Sequence, residues 1–389
     1  MEAAPASSRW GVLAAYMLTG IVSQVLWITF SPIDSQASNV FGVSVGDVGL
    51  LSAVYLLVYV IMSIPAGYVI DAFGFRRAVL LGAALLAFSG VTRSLSSSFP
   101  MVLALQAVGG LGQPFILNSI SKLVRAWFPE SEAALATGIG TLSLFIGILI
   151  GLGLTPSLVE MLGFVPALLA YGGLSLLALL AFYVLGKERK KGVEVEERVT
   201  VTRILDVLRN KNIVVLSILF FIGLGIFNAV ATWIQPMLAT KSIGADLAGP
   251  LGSLLIIGGV IGSVVIPALA DRYHTLKRPL LVCLAASSVL WYLLGVLTET
   301  ILIAVVLLVL GFFFVSALPL GLELSARSLE GRAVGVANAV VWEFSQMGGL
   351  VLILAYEVVS ISSGWEPLFF LSSALTLASL IFALLLRAK

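Results

Sequence analysis

Charge is scarce in this chain, and so are the side chains that hold metals. Only 11% of the 389 residues are Asp, Glu, Lys or Arg, against about 25% in a soluble domain. A soluble globular protein is therefore excluded. The one cysteine, Cys283, cannot close an internal disulfide, and the one histidine, His274, cannot belong to a histidine cluster. No Cys/His constellation has metal-ligand spacing, so neither a metal nor a cofactor is expected. No nucleophile–base pair stands near a helix end either, which argues against a membrane enzyme.

What fills the chain is apolar. Hydrophobic residues make up 60% of it, and the mean hydropathy is +1.11. Windows of about 20 apolar residues recur from end to end, each able to cross a hydrocarbon core of about 30 Å. They are continuously apolar rather than alternating, which disfavours barrel strands. Helices then satisfy the backbone in a medium without water. The short Met1–Ser8 segment precedes a run long enough to span, so a retained helix is expected rather than a cleaved signal.

Twelve spans follow: 10–34, 46–70, 76–96, 99–122, 133–157, 164–186, 212–237, 246–270, 279–298, 300–322, 333–357 and 366–387. With both termini cytoplasmic, nearly all basic residues face inward, and only Arg93 and Lys241 fall outside. That asymmetry is the positive-inside rule. The polar stretch 187–211 mixes Lys190 and Lys191 with Glu194, Glu196 and Glu197. It is expected to be a solvated cytoplasmic linker, with contact to acidic lipid as the alternative. The expected domains are thus an N-terminal bundle at 1–186, the linker at 187–211 and a C-terminal bundle at 212–389.

The two halves repeat. Ile64-Pro65-Ala66-Gly67 leads to Asp71, Gly74, Arg76 and Arg77, and Ile266-Pro267-Ala268 leads to Asp271, Arg272, Lys277 and Arg278. Each copy puts a carboxylate and then basic residues after the second helix of its half, a pattern of secondary transporters. The first copy fits G-x-x-x-D-x-x-G-x-R and resembles the major facilitator superfamily. The resemblance implies an all-α fold of twelve transmembrane helices in two pseudo-symmetric six-helix bundles. It also implies that these residues, with Glu323, gate the cycle. Physically, Gly67 permits close packing, Gly74 a tight turn, and Asp71 can face a helix N-terminus, with Arg76 able to pair with it.

Further segments resemble one branch of that superfamily. They are Trp27-Ile28-Thr29-Phe30-Ser31, Leu51-Ser52 with Tyr55 and Tyr59, Gln113-Pro114-Phe115-Ile116-Leu117-Asn118, Trp127-Phe128, Leu318-Pro319-Leu320-Gly321-Leu322-Glu323, Glu330-Gly331 and Asn338-Ala339. The set is similar to the feline leukaemia virus subgroup C receptor-related family, carriers of choline, related amines and, as proposed, haem. That resemblance implies an aromatic cation site in which Trp27 matches the family's first-helix Trp. The family's seventh-helix Tyr falls on Asn228, its fifth-helix Gln on Phe145, and its eleventh-helix Gln near Trp342. His274, in a loop, offers haem no obvious axial ligand.

The residues themselves point the same way. Glu343 is the one carboxylate of 20 acidic residues placed well inside a span, where a charge costs about 2.5–3.5 kcal/mol and is functional by default. Asn338, Trp342 and Gln346 recur at i, i+4, i+8 with Glu343 beside them, so one broad helical face is polar and aromatic. Trp342 is expected near mid-depth. Gln24 shares a face with Trp27, Gln113 and Asn118 lie on the fourth helix, and Asn228 and Trp233 on the seventh. The polar ones either line a cavity or bridge helices, and Trp27 and Trp233 compete with an interfacial belt reading. Aromatic rings and one carboxylate suit a small amine, a quaternary ammonium or a neutral polar solute. The site is expected at the seam of the two halves.

The expected activity is facilitated uniport by alternating access, because Gln106 stands where many proton-coupled facilitators carry Arg and Gly147-Ile148-Leu149-Ile150-Gly151 replaces the antiporter pattern. A proton-coupled symporter or antiporter using Glu343 is the alternative, and a channel or non-transporting receptor is the rival class. The expected partners are a small-molecule substrate and the lipid bilayer, with no nucleic acid, and the chain is expected to be a monomer.

Overall fold

The computed structural model describes residues 6–188, 206–273, 275–328 and 334–386. His274, Lys190, Lys191, Glu194, Glu196, Glu197, Glu330 and Gly331 lie outside them, as does the side chain of Asp271. Contacts divide the chain into Met1–Glu194 and Val195–Lys389. Among the described residues, twelve helical segments are long and apolar enough to cross a membrane. All twelve expected spans are present.

The first half contains α1 (Ala6–Ile28), α2 (Asp34–Phe41), α3 (Val45–Phe73), α4 (Phe75–Ser94), α5 (Phe99–Leu117), α6 (Ile120–Trp127), α7 (Glu130–Leu162) and α8 (Phe164–Leu185). The second contains α9 (Lys211–Ala239), α10 (Ala245–Arg272), α11 (Lys277–Val296), α12 (Thr300–Phe314), α13 (Ala317–Ser328), α14 (Val334–Ser363) and α15 (Pro367–Leu384).

Three expected spans are each broken in two, and local chemistry accounts for the breaks. The first span stops at Ile28, passes through a 3-10 turn at Ser31–Ile33 and resumes as α2. Pro32 fixes φ there and lacks an N–H for a continuing helix. The fourth span breaks after Leu117. Pro114 leaves a carbonyl one turn earlier without its usual donor, and the Asn118 side chain is held by the neighbouring α3. The tenth span, its counterpart in the repeat, breaks at Val315–Ser316, where the Ser316 hydroxyl donates back to Phe312 O (2.5 Å). That bond competes with the helix ladder.

Turn chemistry marks the other boundaries. Ser44 and Asp47 form a reciprocal capping box at the start of α3, satisfying two donors that a helix start leaves open. Gly74, at φ +88°, separates α3 from α4, and a Cβ there would run into the Glu188 carboxylate. In the second half α10 and α12 approach so closely that Cβ atoms at Gly258 and Gly311 would strike the backbone carbonyls of Leu308 and Leu255.

Each half ties down the end that carries its basic residues in the same way. Arg76, at the start of α4, donates to Tyr183 O (3.2 Å) and Gly186 O at the end of α8. Lys277, at the start of α11, donates to Leu384 O (2.9 Å) and Leu386 O (2.5 Å) at the end of α15. The last carbonyls of a helix lack intrahelical donors, and a cation there also meets the negative end of the helix dipole. So in both halves the third span caps the sixth.

The two basic residues that broke the charge asymmetry are both consumed inside the fold. Arg93 is fully buried near the end of α4. Lys241, just past α9, has a side chain 2% exposed and donates to Gly295 O (2.5 Å) at the end of α11 and to Glu366 Oε1 (2.9 Å). Four phenylalanines close that end of the first half. Phe41 lies within 5.7–6.2 Å of Phe30, Phe99 and Phe164, centroid to centroid, fastening α2 to the starts of α5 and α8.

Candidate functional site

Of the gating residues, Arg76 and Asp71 do not pair. The carboxylate that meets Arg76 is that of Glu188, whose Oε2 accepts from the Arg76 backbone N–H (2.8 Å). The reason is reach: on the first turn of α4 the guanidinium lies beside the free carbonyls of α8. Asp71 is met instead by Lys122 Nζ (3.4 Å), which also caps Ile70 O (2.7 Å) and Asp71 O (3.2 Å). The expected close packing at Gly67 is likewise corrected, because a Cβ there would meet nothing within 4 Å. Arg278 is exposed, and Glu323 pairs with Arg327 one turn on (2.8 Å). Trp127 ties the beginning of the linker down through Lys187 O (3.0 Å).

The two tryptophans suspected of belonging to an interfacial belt do not face lipid. Trp27 is 3% exposed and Trp233 1%. The Trp27 indole N–H donates to Ser52 O (3.2 Å) on α3, and that of Trp233 to Ile353 O (3.0 Å) on α14. Both sit where a helix yields: Trp27 is next to last in α1, and Trp233 carries the non-helical φ −104°, ψ 21° inside α9. Trp365 packs against Trp233 with centroids 4.9 Å apart.

The amides divide into two kinds. Asn118 bridges helices: its Oδ1 accepts from Tyr59 (2.8 Å) and its Nδ2 approaches Ser63 Oγ (3.4 Å). Gln113 and Asn228 are buried, yet Gln113 Oε1 and Asn228 Nδ2 have no partner among the described residues. Leaving such atoms unpaired costs about 1–3 kcal/mol each. An apolar residue would have been cheaper there, so these two, with Asn338, whose Oδ1 is likewise unpartnered among the described residues, have capacity left for a solute. Gln24 is buried on α1, its Cβ turned to the α7 glycine Gly147.

On α14 the expected stripe is present as one helical run. Asn338, Trp342 and Glu343 are half-buried and Gln346 is buried. The midpoint of this 30-residue helix falls at Gly348–Gly349, because α14 runs on past Glu357. Trp342 therefore sits more than one turn from mid-helix. Glu343 lies nine residues from Val334, further from an end of the helix than Glu357, the other acidic residue of α14.

Arg93 is the residue that sequence reasoning passed over. The sequence places it only as one of two basic residues on the outer side. Its guanidinium instead reaches α1 and Gln106 of α5. The signal was present as one of two exceptions to the charge asymmetry.

A transmembrane bundle with such sites is a solute carrier by architecture, and comparison places it. The Major Facilitator Superfamily model matches residues 12–352, and the chain belongs to that family: it is a multi-pass membrane transporter. It is 42% identical over 220 residues to an uncharacterized protein of Archaeoglobus fulgidus, covering 57% of this chain and 99% of that one. It is 24% identical over 390 residues to the human choline/ethanolamine transporter FLVCR2, covering 92% of this chain and 73% of the relative. In fold it is similar to a bacterial homolog of the human lysosomal transporter Spinster, solved inward-facing and unoccupied. There the TM-score is 0.71 at 14% identity, over 98% of this chain and 96% of that one.

Proposed function

We propose that this transporter moves a small amine, a quaternary ammonium or a neutral polar solute by alternating access, as a uniporter with both termini cytoplasmic. Trp27 carries the reading. It is a buried ring with a fixed indole, set at the point where α1 breaks, in a chain related over 92% of its length to a choline/ethanolamine transporter. An aromatic face attracts a cation by about 0.5–2 kcal/mol, more when water is excluded. Gln113 and Asn228 supply uncommitted polar atoms, and Glu343 supplies a counter-charge within an apolar helix.

Uptake of radiolabelled choline and ethanolamine into proteoliposomes tests the proposal, alongside thermal unfolding of the purified protein. Saturable uptake is expected, together with stabilisation by about 2.7 kcal/mol at a hundredfold excess over Kd. Stabilisation by carboxylates, with none by choline-like cations, would overturn it. A second reading, proton coupling, rests on the position of Glu343. Transport by Glu343→Gln that is unchanged at every pH would eliminate it.

A further inference from the structure

We propose that Arg93 and Gln106 are positioning residues for Trp27, holding the end of α1 so that its ring is presented in one orientation. This rests on the reading of Trp27 as a solute contact, and extends it.

The argument begins with cost. A fully buried guanidinium loses several kcal/mol of hydration unless other groups replace the water. No carboxylate among the described residues contacts Arg93. Its partners are Leu26 O (2.7 Å from Nη1), Thr29 Oγ1 (3.2 Å from Nη2), Gln106 Oε1 and the face of Phe30 (5.1 Å to the centroid). Three of these four belong to the five residues Leu26–Phe30, and Trp27 lies among them.

The grip is placed on backbone as well as side chain. Leu26 O, in the last turn of α1, receives Arg93 Nη1 and also Gln106 Nε2 (3.1 Å). Gln106 thus bonds both the arginine and the carbonyl that the arginine holds. Thr29 is fixed from below as well, its hydroxyl donating to Val25 O. With the Leu26–Trp27 peptide held through its carbonyl and the Thr29 side chain held two residues on, the direction of the Trp27 Cα–Cβ bond is set, and Ser52 O then fixes the tilt of the indole. A ring held this way has little rotamer freedom left to lose when a solute arrives, which is preorganisation. The Arg93 charge is spent on the negative end of the α1 dipole, so it acts on the backbone and not on the solute.

Two measurements on Arg93→Gln, Thr29→Val and Gln106→Leu test this. The first reports on the ring without any solute: 19F spectra of protein labelled with 5-fluorotryptophan, the Trp27 line being assigned by its loss in Trp27→Phe. The chain has seven tryptophans. The Trp27 line is expected to broaden or shift in all three variants while that of Trp127, which is held by Lys187 O, stays put, and Arg93→Lys should restore part of it. The second is choline uptake, where KM should rise about five- to tenfold at little change in Vmax, as expected for lost preorganisation. An unmoved Trp27 line in the folded variants overturns the proposal, and so does tighter choline binding by Arg93→Gln, which would mean that the charge acts on the solute. A Trp27 line that responds in a protein that carries no choline would leave the positioning role standing and remove the proposed substrate. If Arg93→Gln does not fold, Thr29→Val, which deletes one hydroxyl and leaves the buried charge in place, decides the matter.

Discussion

Removing Glu366 should destabilise the second half more than removing Lys241, although the two form one ion pair. The asymmetry follows from their surroundings. The Lys241 side chain is 2% exposed, that of Glu366 56%. In Lys241→Met the carboxylate turns to water at little cost, and an exposed pair is worth about 0–1 kcal/mol. What is lost is the donor to Gly295 O, about 1–3 kcal/mol for an unsatisfied buried carbonyl. In Glu366→Leu the ammonium stays buried with no counter-charge, and orphaning a buried ion costs about 3–5 kcal/mol. The partial exposure of this pair places the cost near the lower figure. The double variant should then be more stable than Glu366→Leu alone, because no charge is left stranded. Thermal unfolding in detergent, followed by tryptophan fluorescence, gives the order directly. A Glu366→Leu protein that outlasts Lys241→Met, or a double variant less stable than both, would refute the reasoning.

Three further outcomes are expected. Gly311→Leu should destabilise the protein by about 3 kcal/mol or more, since its side chain must push α12 off the Leu255 carbonyl on α10 and overpacking is costly; thermal unfolding checks it. Asn118→Leu should cost about 1 kcal/mol by deleting the acceptor for Tyr59, the usual net value of one hydrogen bond, again read from unfolding. Arg76→Met and Lys277→Met should each raise amide hydrogen exchange about tenfold, but only at the end of the helix each one caps, near Gly186 and Leu386 respectively, because such ends open locally.

Most of the fold was legible because the bilayer permits so few solutions. Length, apolar runs and the distribution of Lys and Arg gave all twelve spans, and the spacing from Gly67 to Arg76 gave the family. The breaks were harder to see. Those at Asn118 and Ser316 depend on single side-chain bonds, one to the neighbouring α3 and one back to the helix backbone, and the hydropathy of a whole span does not register one such bond. Pair contacts were harder still. Asp71 and Arg76 stand five residues apart and suggest a pair, yet Gly74 turns the chain between them, so each meets a different helix. The tryptophans show the same limit: Trp27 and Trp233 read as interfacial or as cavity residues from depth alone, and only tertiary hydrogen bonds to Ser52 and Ile353 removed them from the lipid surface. The burial of Arg93 was illegible for a related reason. A charge near a span end reads as solvated unless one knows that an adjacent helix ends beside it.

The capping of the sixth span by the third has a consequence for how such a chain is put together. A six-helix piece whose final carbonyls are already met by its own Arg76 or Lys277 has no raw end to hand on to whatever follows. It can be copied, joined head to tail, and the joint left to drift. In sequence the joint here is 187–211, a run rich in Lys, Glu and Val, and its described ends are claimed by the pieces they adjoin: Lys187 and Glu188 by the first half, Val207 by the core of the second.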